Sequence, residues 1–85
     1  MKNPMDRNIT LRVHLIESAY DSEIQDWVVK KMTLTDSTVY LVVPTQEEVC
    51  KELKLNRKRY MTYVSKNDIF VLERKTQQPV MCLKK

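Results

Sequence analysis

Three adjacent cations, Arg57-Lys58-Arg59, are the residues of this chain best suited to chemistry, and that chemistry is the recognition of anions. A guanidinium offers a planar fork of donors to phosphate oxygens or to the edge of guanine, and an ammonium is a point charge for phosphates. Three neighbouring cations repel one another and contribute little to packing, so the cluster suits an anionic partner better than it suits folding. Arg74, Lys75 and Gln77 form a second polar group, and Lys54, Asn56 and Lys66 flank the first. Tyr60, Tyr63 and Phe70 lie nearby in sequence, and exposed aromatics beside cations are how many proteins stack nucleobases.

The charge distribution points the same way. Residues 1–50 hold five Lys or Arg against eight Asp or Glu, a net of −3, whereas residues 51–85 hold ten against three, a net of +7. Such asymmetry implies a polyanion partner, DNA or RNA, for the basic half.

Other chemistries are disfavoured. The chain contains no glycine. Phosphate-cradling loops, dinucleotide fingerprints and nucleophile elbows require glycine for close backbone approach or positive φ. A zinc site would have to combine His14, Cys50 and Cys82 at no recognised spacing, so neither metal nor cofactor is expected. The two cysteines sit in apolar runs and read as buried thiols. Glu47 and Glu48 could form an acid–base pair, but a role at a helix start explains them, and the expectation is that the protein is not an enzyme.

At 85 residues the chain is one domain, 42% hydrophobic and 31% charged. Residues 1–8, MKNPMDRN, read as a flexible end without the apolar stretch of a secretory signal, and residues 9–85 as a single nucleic-acid-binding domain. No apolar run reaches the roughly 18 residues of a membrane span, and the expected location is the cytoplasm.

The elements that must position the cations follow from periodicity. Ile9, Leu11, Val13 and Leu15 alternate with Thr10, Arg12 and His14, a half-buried strand with His14 on its polar side. Ser22 and Gln25 have capping-box spacing, and Ile24, Trp27, Val28 and Met32 follow at helical spacing, which predicts a helix with Trp27 as a core anchor. Residues 38–43 read as a buried strand ended by Pro44. Thr45-Gln46-Glu47-Glu48 is a second capping box, opening a helix over residues 46–54 with Val49, Cys50 and Leu53 on its apolar face. Residues 57–66 fit a helix or a strand. Lys66-Asn67-Asp68 is a turn, and residues 69–72 and 80–83 form a β-hairpin.

With residues 57–66 helical, the stretch 45–64, TQEEVCKELKLNRKRYMTYV, resembles the helix-turn-helix of the winged-helix family. Val49, Cys50 and Leu53 stand at the apolar positions of its first helix, Leu55 follows the turn, Asn56 takes the polar cap, and Tyr60 and Val64 occupy the apolar face of the second helix. The hairpin over residues 69–83 stands where that family has its wing. The resemblance implies a recognition helix that brings Asn56, Arg57, Lys58 and Arg59 to the major groove. Thr62 and Tyr63 would lie further along its face, and Arg74, Lys75 and Gln77 would act as wing contacts. Lys54 departs from the pattern, because the turn position it fills is usually Gly.

The expected fold class is therefore α+β, in the order β-α-β-α-(α or β)-β-β. It is winged-helix-like if residues 57–66 are helical, and otherwise a mixed sheet with two helices on one face. The expected function is a small basic regulator that binds DNA or RNA. The alternative, of a different class, is a protein-interaction module, such as a phage- or plasmid-type inhibitor docking on a host enzyme or toxin, with or without RNA. Homodimerisation through strand 9–16 or 38–43, as sheet edges, stays open.

Overall fold

The alternation that begins at Ile9 continues well past Leu15. In the computed structural model, which describes residues 9–85, it forms the long strand β1 (Ile9–Asp21). The chain turns through residues 22–25 and returns as β2 (Asp26–Leu41), paired from Ile9 opposite Leu41 to Asp21 opposite Asp26 with register shifts between Arg12 and His14 and between Glu17 and Ser18. Helix α1 (Gln46–Leu53) follows, then β3 (Tyr60–Ser65), β4 (Asp68–Glu73) and β5 (Pro79–Lys84). All five strands belong to one antiparallel sheet in the order β2-β1-β5-β4-β3. Residues 1–8, expected to be flexible, lie outside the described part of the chain.

Register assigns the core to one face. Leu11 lies opposite Val39, Val13 opposite Leu83, Leu83 opposite Ile69, and Met81 opposite Val71. Directly opposed residues share a face. Leu11, Val13, Val39, Leu41, Ile69, Val71 and Leu83 close on Val49 of α1 in a single cluster, with Leu53, Leu55, Tyr60 and Met81 packed at its margin. Each fully buried Val, Leu or Ile contributes roughly 1.5–3 kcal/mol. α1 contacts both edge strands, β2 and β3, so one short helix covers this face.

Three expectations are corrected. The helix expected from Ser22 does not form. Asp21 Oδ1 accepts from the Glu23 N–H (2.9 Å), Asp26 Oδ1 accepts from the Trp27 N–H (2.7 Å), and the segment turns into β2 instead. Asp and Ser favour such local bonds over helix interiors, and Val28, Val29, Thr33 and Thr35 favour a strand. Residues 57–66 do not form a recognition helix, because Tyr60–Ser65 pairs with Asp68–Glu73 through a two-residue turn with Lys66 at φ 53°. The winged-helix-like fold is thereby overturned. So is the mixed sheet with two helices, since the sheet is antiparallel throughout and the described residues contain one helix.

Smaller corrections follow. Trp27 is half-buried and outside the core cluster, not a core anchor. β1 lies between β2 and β5, so strand 9–16 is not an edge; the edges are β2 and β3. Among the described residues, no helix is long and apolar enough to cross a membrane.

Candidate nucleic-acid interface

The end of α1 aims the basic cluster. Thr45 caps the helix start, its Oγ1 accepting from the Glu48 N–H (3.2 Å). The Glu48 carboxylate then accepts from the N–H groups of Val42 (2.7 Å) and Val43 (2.8 Å), which fixes the link from β2. Glu47 and Glu48 thus serve the helix start and the β2–α1 junction. At the other end, Lys54 takes the left-handed conformation (φ 57°, ψ 43°). The Leu55 N–H donates back to the Cys50 carbonyl (2.8 Å) and the Lys54 N–H to that of Lys51 (3.3 Å), a Schellman termination that tucks Leu55 against the core. The Gly expected at this position is replaced by a lysine in the same conformation.

Residues 56–59 then form a tight turn. Asn56 Oδ1 accepts from the Lys58 N–H (2.8 Å), and the Asn56 carbonyl accepts from the N–H groups of Arg59 and Tyr60, both at 3.0 Å. The backbone is held inward, and the side chains of Arg57, Lys58 and Arg59 are left exposed. The β4–β5 turn is tied to this one. The Arg74 N–H donates to the Arg59 carbonyl (2.9 Å), and Arg74 Nε donates to the Arg57 carbonyl (2.8 Å).

Two basic groups 15 or more residues apart in sequence thereby share one surface. An open groove of about 580 Å³ runs between them, lined by Asn56, Lys58, Arg59, Glu73, Arg74 and Lys75. An adjoining depression of about 470 Å³ is lined by Gln46, Arg57, Lys58 and Arg74. Arg57 Nη1 lies 3.6 Å from Glu47 Oε1, but both side chains are largely exposed, and such pairs are worth little in water. The other ion pair among the described residues is Lys84–Asp68, away from the groove. Among the described residues, Lys58, Arg59, Arg74 and Lys75 make no ion pair, and Glu73 supplies the one carboxylate that lines the groove. The Arg59 guanidinium also lies 5.5 Å from the centre of the Tyr60 ring.

The structure thus gathers six expected site residues, Asn56, Arg57, Lys58, Arg59, Arg74 and Lys75. Lys54 lies at the end of α1, two residues before the turn. Gln77 shapes the β4–β5 turn, at φ 61° with its N–H donating to the Glu73 carbonyl (2.6 Å). Three residues fall elsewhere. Thr62 lies opposite Val71, on the core face and half-buried. Tyr63 lies opposite Phe70 on the reverse face. Lys66 occupies the far end of the β3–β4 ladder, roughly 20 Å from Tyr60 at about 3.3 Å per residue. A strand separates what a helix would have placed together.

Sequence reasoning passed over Gln46, whose Nε2 donates to the Arg57 carbonyl (3.5 Å), and the aromatic pair Tyr20 and Trp27. Trp27 Nε1 donates to the carbonyl of Thr76 (3.0 Å), the residue after Lys75. A signal for the pair existed: two aromatics flanking the polar run DSEIQD, the composition of a hairpin turn.

The two thiols are buried and free, and they do not form a site. Cys50 lies in α1, whereas Cys82 in β5 lies opposite His14 on the face away from the core. Burial raises the pKa of Cys50, partly offset by Arg57 and Arg74. Burial, reinforced by Asp68 and partly offset by Lys84, pushes Cys82 up to about 11. Neither thiol is activated as a nucleophile or ligand. His14, expected on an exposed polar face, is half-buried, with Nδ1 enclosed and without a hydrogen-bond partner among the described residues.

No protein-family model, curated protein or solved structure matches this chain.

Proposed function

We propose that this protein is a small, cytoplasmic, non-enzymatic regulator that binds nucleic acid through its phosphate backbone, in the groove between residues 56–59 and the β4–β5 turn. The observation that carries this reading is the convergence of Arg57, Lys58 and Arg59 with Arg74 and Lys75 on one surface. Folding does not require Arg57, Lys58, Arg59 or Lys75 to be cationic there. The two bonds that join the turns both end on backbone carbonyls, and one of them uses the Arg74 side chain.

The mode of binding differs from that of a recognition helix. α1 has acids in its first turn, so its positive end already serves its own carboxylates. The cations sit on turns, which suits phosphate contacts that position a strand without reading its sequence.

Replacing Arg57, Lys58 and Arg59 together by Gln tests this. The melting temperature should stay unchanged, because the side chains are exposed and the carbonyls that bind Arg74 remain. Affinity for nucleic acid, measured by anisotropy at low salt, should fall about tenfold or more. Unchanged affinity would remove the reading. A protein-docking role, on a host enzyme or toxin or between two copies of this chain, would then lead. It has its own support, since Leu34, Tyr40 and Tyr63 are half or more exposed on the sheet face that α1 does not cover.

A further inference from the structure

The distal end of the β1–β2 hairpin is fastened to the β4–β5 turn at Thr76, the residue after the groove-lining Lys75. Trp27 Nε1 donates to the Thr76 carbonyl at 3.0 Å. Ser18 Oγ donates to the Pro79 carbonyl and accepts from Gln78 Nε2, both at 3.4 Å. These bonds join β1 and β2 to the same β4–β5 turn that carries Arg74 and Lys75. Tyr20 lies directly opposite Trp27 in the ladder, with ring centroids 5.5 Å apart and planes at 73°, an edge-to-face contact. That contact holds the Tyr20 ring in place while 54% of the residue remains exposed.

We propose that the nucleic acid is single-stranded and that Tyr20, propped by Trp27, stacks one of its bases while the adjacent groove holds the phosphates. The inference rests on the phosphate-binding reading above and adds the substrate class to it. A base in a duplex is already stacked and paired, so an aromatic platform beside a phosphate groove rewards only a strand whose bases are unpaired. A ring fixed before binding loses little rotamer freedom on contact. The carboxylates of Asp21, Glu23 and Asp26 crowd the tip beyond Tyr20 and repel phosphates there. The strand therefore leaves the hairpin at Tyr20 and does not follow it outward.

Trp27 is the only tryptophan in the chain, so its emission reports on this spot directly. The probes are a dye-labelled oligothymidylate of roughly 12 nucleotides and a duplex of the same length, titrated at low salt with anisotropy and tryptophan emission read together. The single strand should bind at least about tenfold more tightly than the duplex and should change Trp27 emission. Tyr20→Leu should lose about fivefold or more in affinity for the single strand and none for the duplex, whereas Tyr20→Phe should keep wild-type affinity. Equal affinity for both probes, with Tyr20→Leu silent and emission unmoved, overturns the inference and leaves phosphate binding standing. No binding of either probe overturns both.

Discussion

The β1–β2 ladder runs the length of both strands with irregularities after Arg12 and after Glu17, and its two halves are held by different forces. In the proximal half, Leu11, Val13, Val39 and Leu41 are at most 4% exposed, and residues 12–15 of β1 are also paired with β5. In the distal half, beyond Ile16 and Met32, no residue is buried, and Tyr20, Ile24 and Val29 are 54%, 62% and 39% exposed. A two-stranded ribbon of that kind is marginal in water. It keeps its place through an aromatic pair and a few polar bonds to the β4–β5 turn. Burial builds the proximal half, and the distal half is attached to a turn that carries cations. An element that spends so little surface on packing has its aromatics available for a partner.

The largest effect expected from this contrast is on stability. Leu41→Ala should cost about 2–5 kcal/mol, enough to unfold most of a domain this small, because it empties a site with no exposed surface. Ile24→Ala, at the distal tip, should stay within about 0.5 kcal/mol of wild type. Urea denaturation of the two variants checks the pair; a comparable loss at Ile24 would mean that the tip packs against something and would break the comparison.

A smaller effect concerns the turns and the end of α1, where backbone strain is stored. Among the described residues, four non-glycine residues, Gln25, Lys54, Lys66 and Gln77, hold positive φ, and each ends a helix or shapes a hairpin turn. A left-handed residue with a Cβ costs about 1–2 kcal/mol, and Gly returns part of that gain as entropy of the unfolded chain. Lys54→Gly should therefore stabilise by up to about 1 kcal/mol, read as a higher urea midpoint. Destabilisation would show that the lysine side chain makes a contact worth more than the strain.

These same features decide what could be read in advance. Thr45 and Glu48 are both capping residues by type and spacing, and α1 forms where they point, although Glu48 bonds to Val42 and Val43 and not to the Thr45 N–H. The start of β1 and the hairpin over residues 69–83 were legible because their apolar residues alternate or run between turn residues. Residues 22–32 were not. Ile24, Trp27 and Val28 imitate a helix face, and the competing turn chemistry of Asp21 and Asp26 is visible only once each carboxylate is seen on a backbone N–H. Residues 60–65 fit either period, and pairing with β4 decides for the strand.

The cations themselves were legible from charge alone. Their meeting was not, because it depends on Arg74 reaching the carbonyls of Arg57 and Arg59 across a gap of 15 or more residues. The Tyr20–Trp27 pair was hidden by the mistaken helix, which would have separated the two rings.

The central claim is that the two basic turns act as one anion site. Its most direct test is the slope of log Kd against log salt for a single-stranded oligonucleotide, measured for wild type and for Arg74→Gln/Lys75→Gln. Loss of two phosphate contacts should lower the slope by about 1.4 in magnitude, at roughly 0.7 per contact on a single strand, and weaken binding at low salt. A slope equal to that of the wild type would place Arg74 and Lys75 outside the site and contradict the claim.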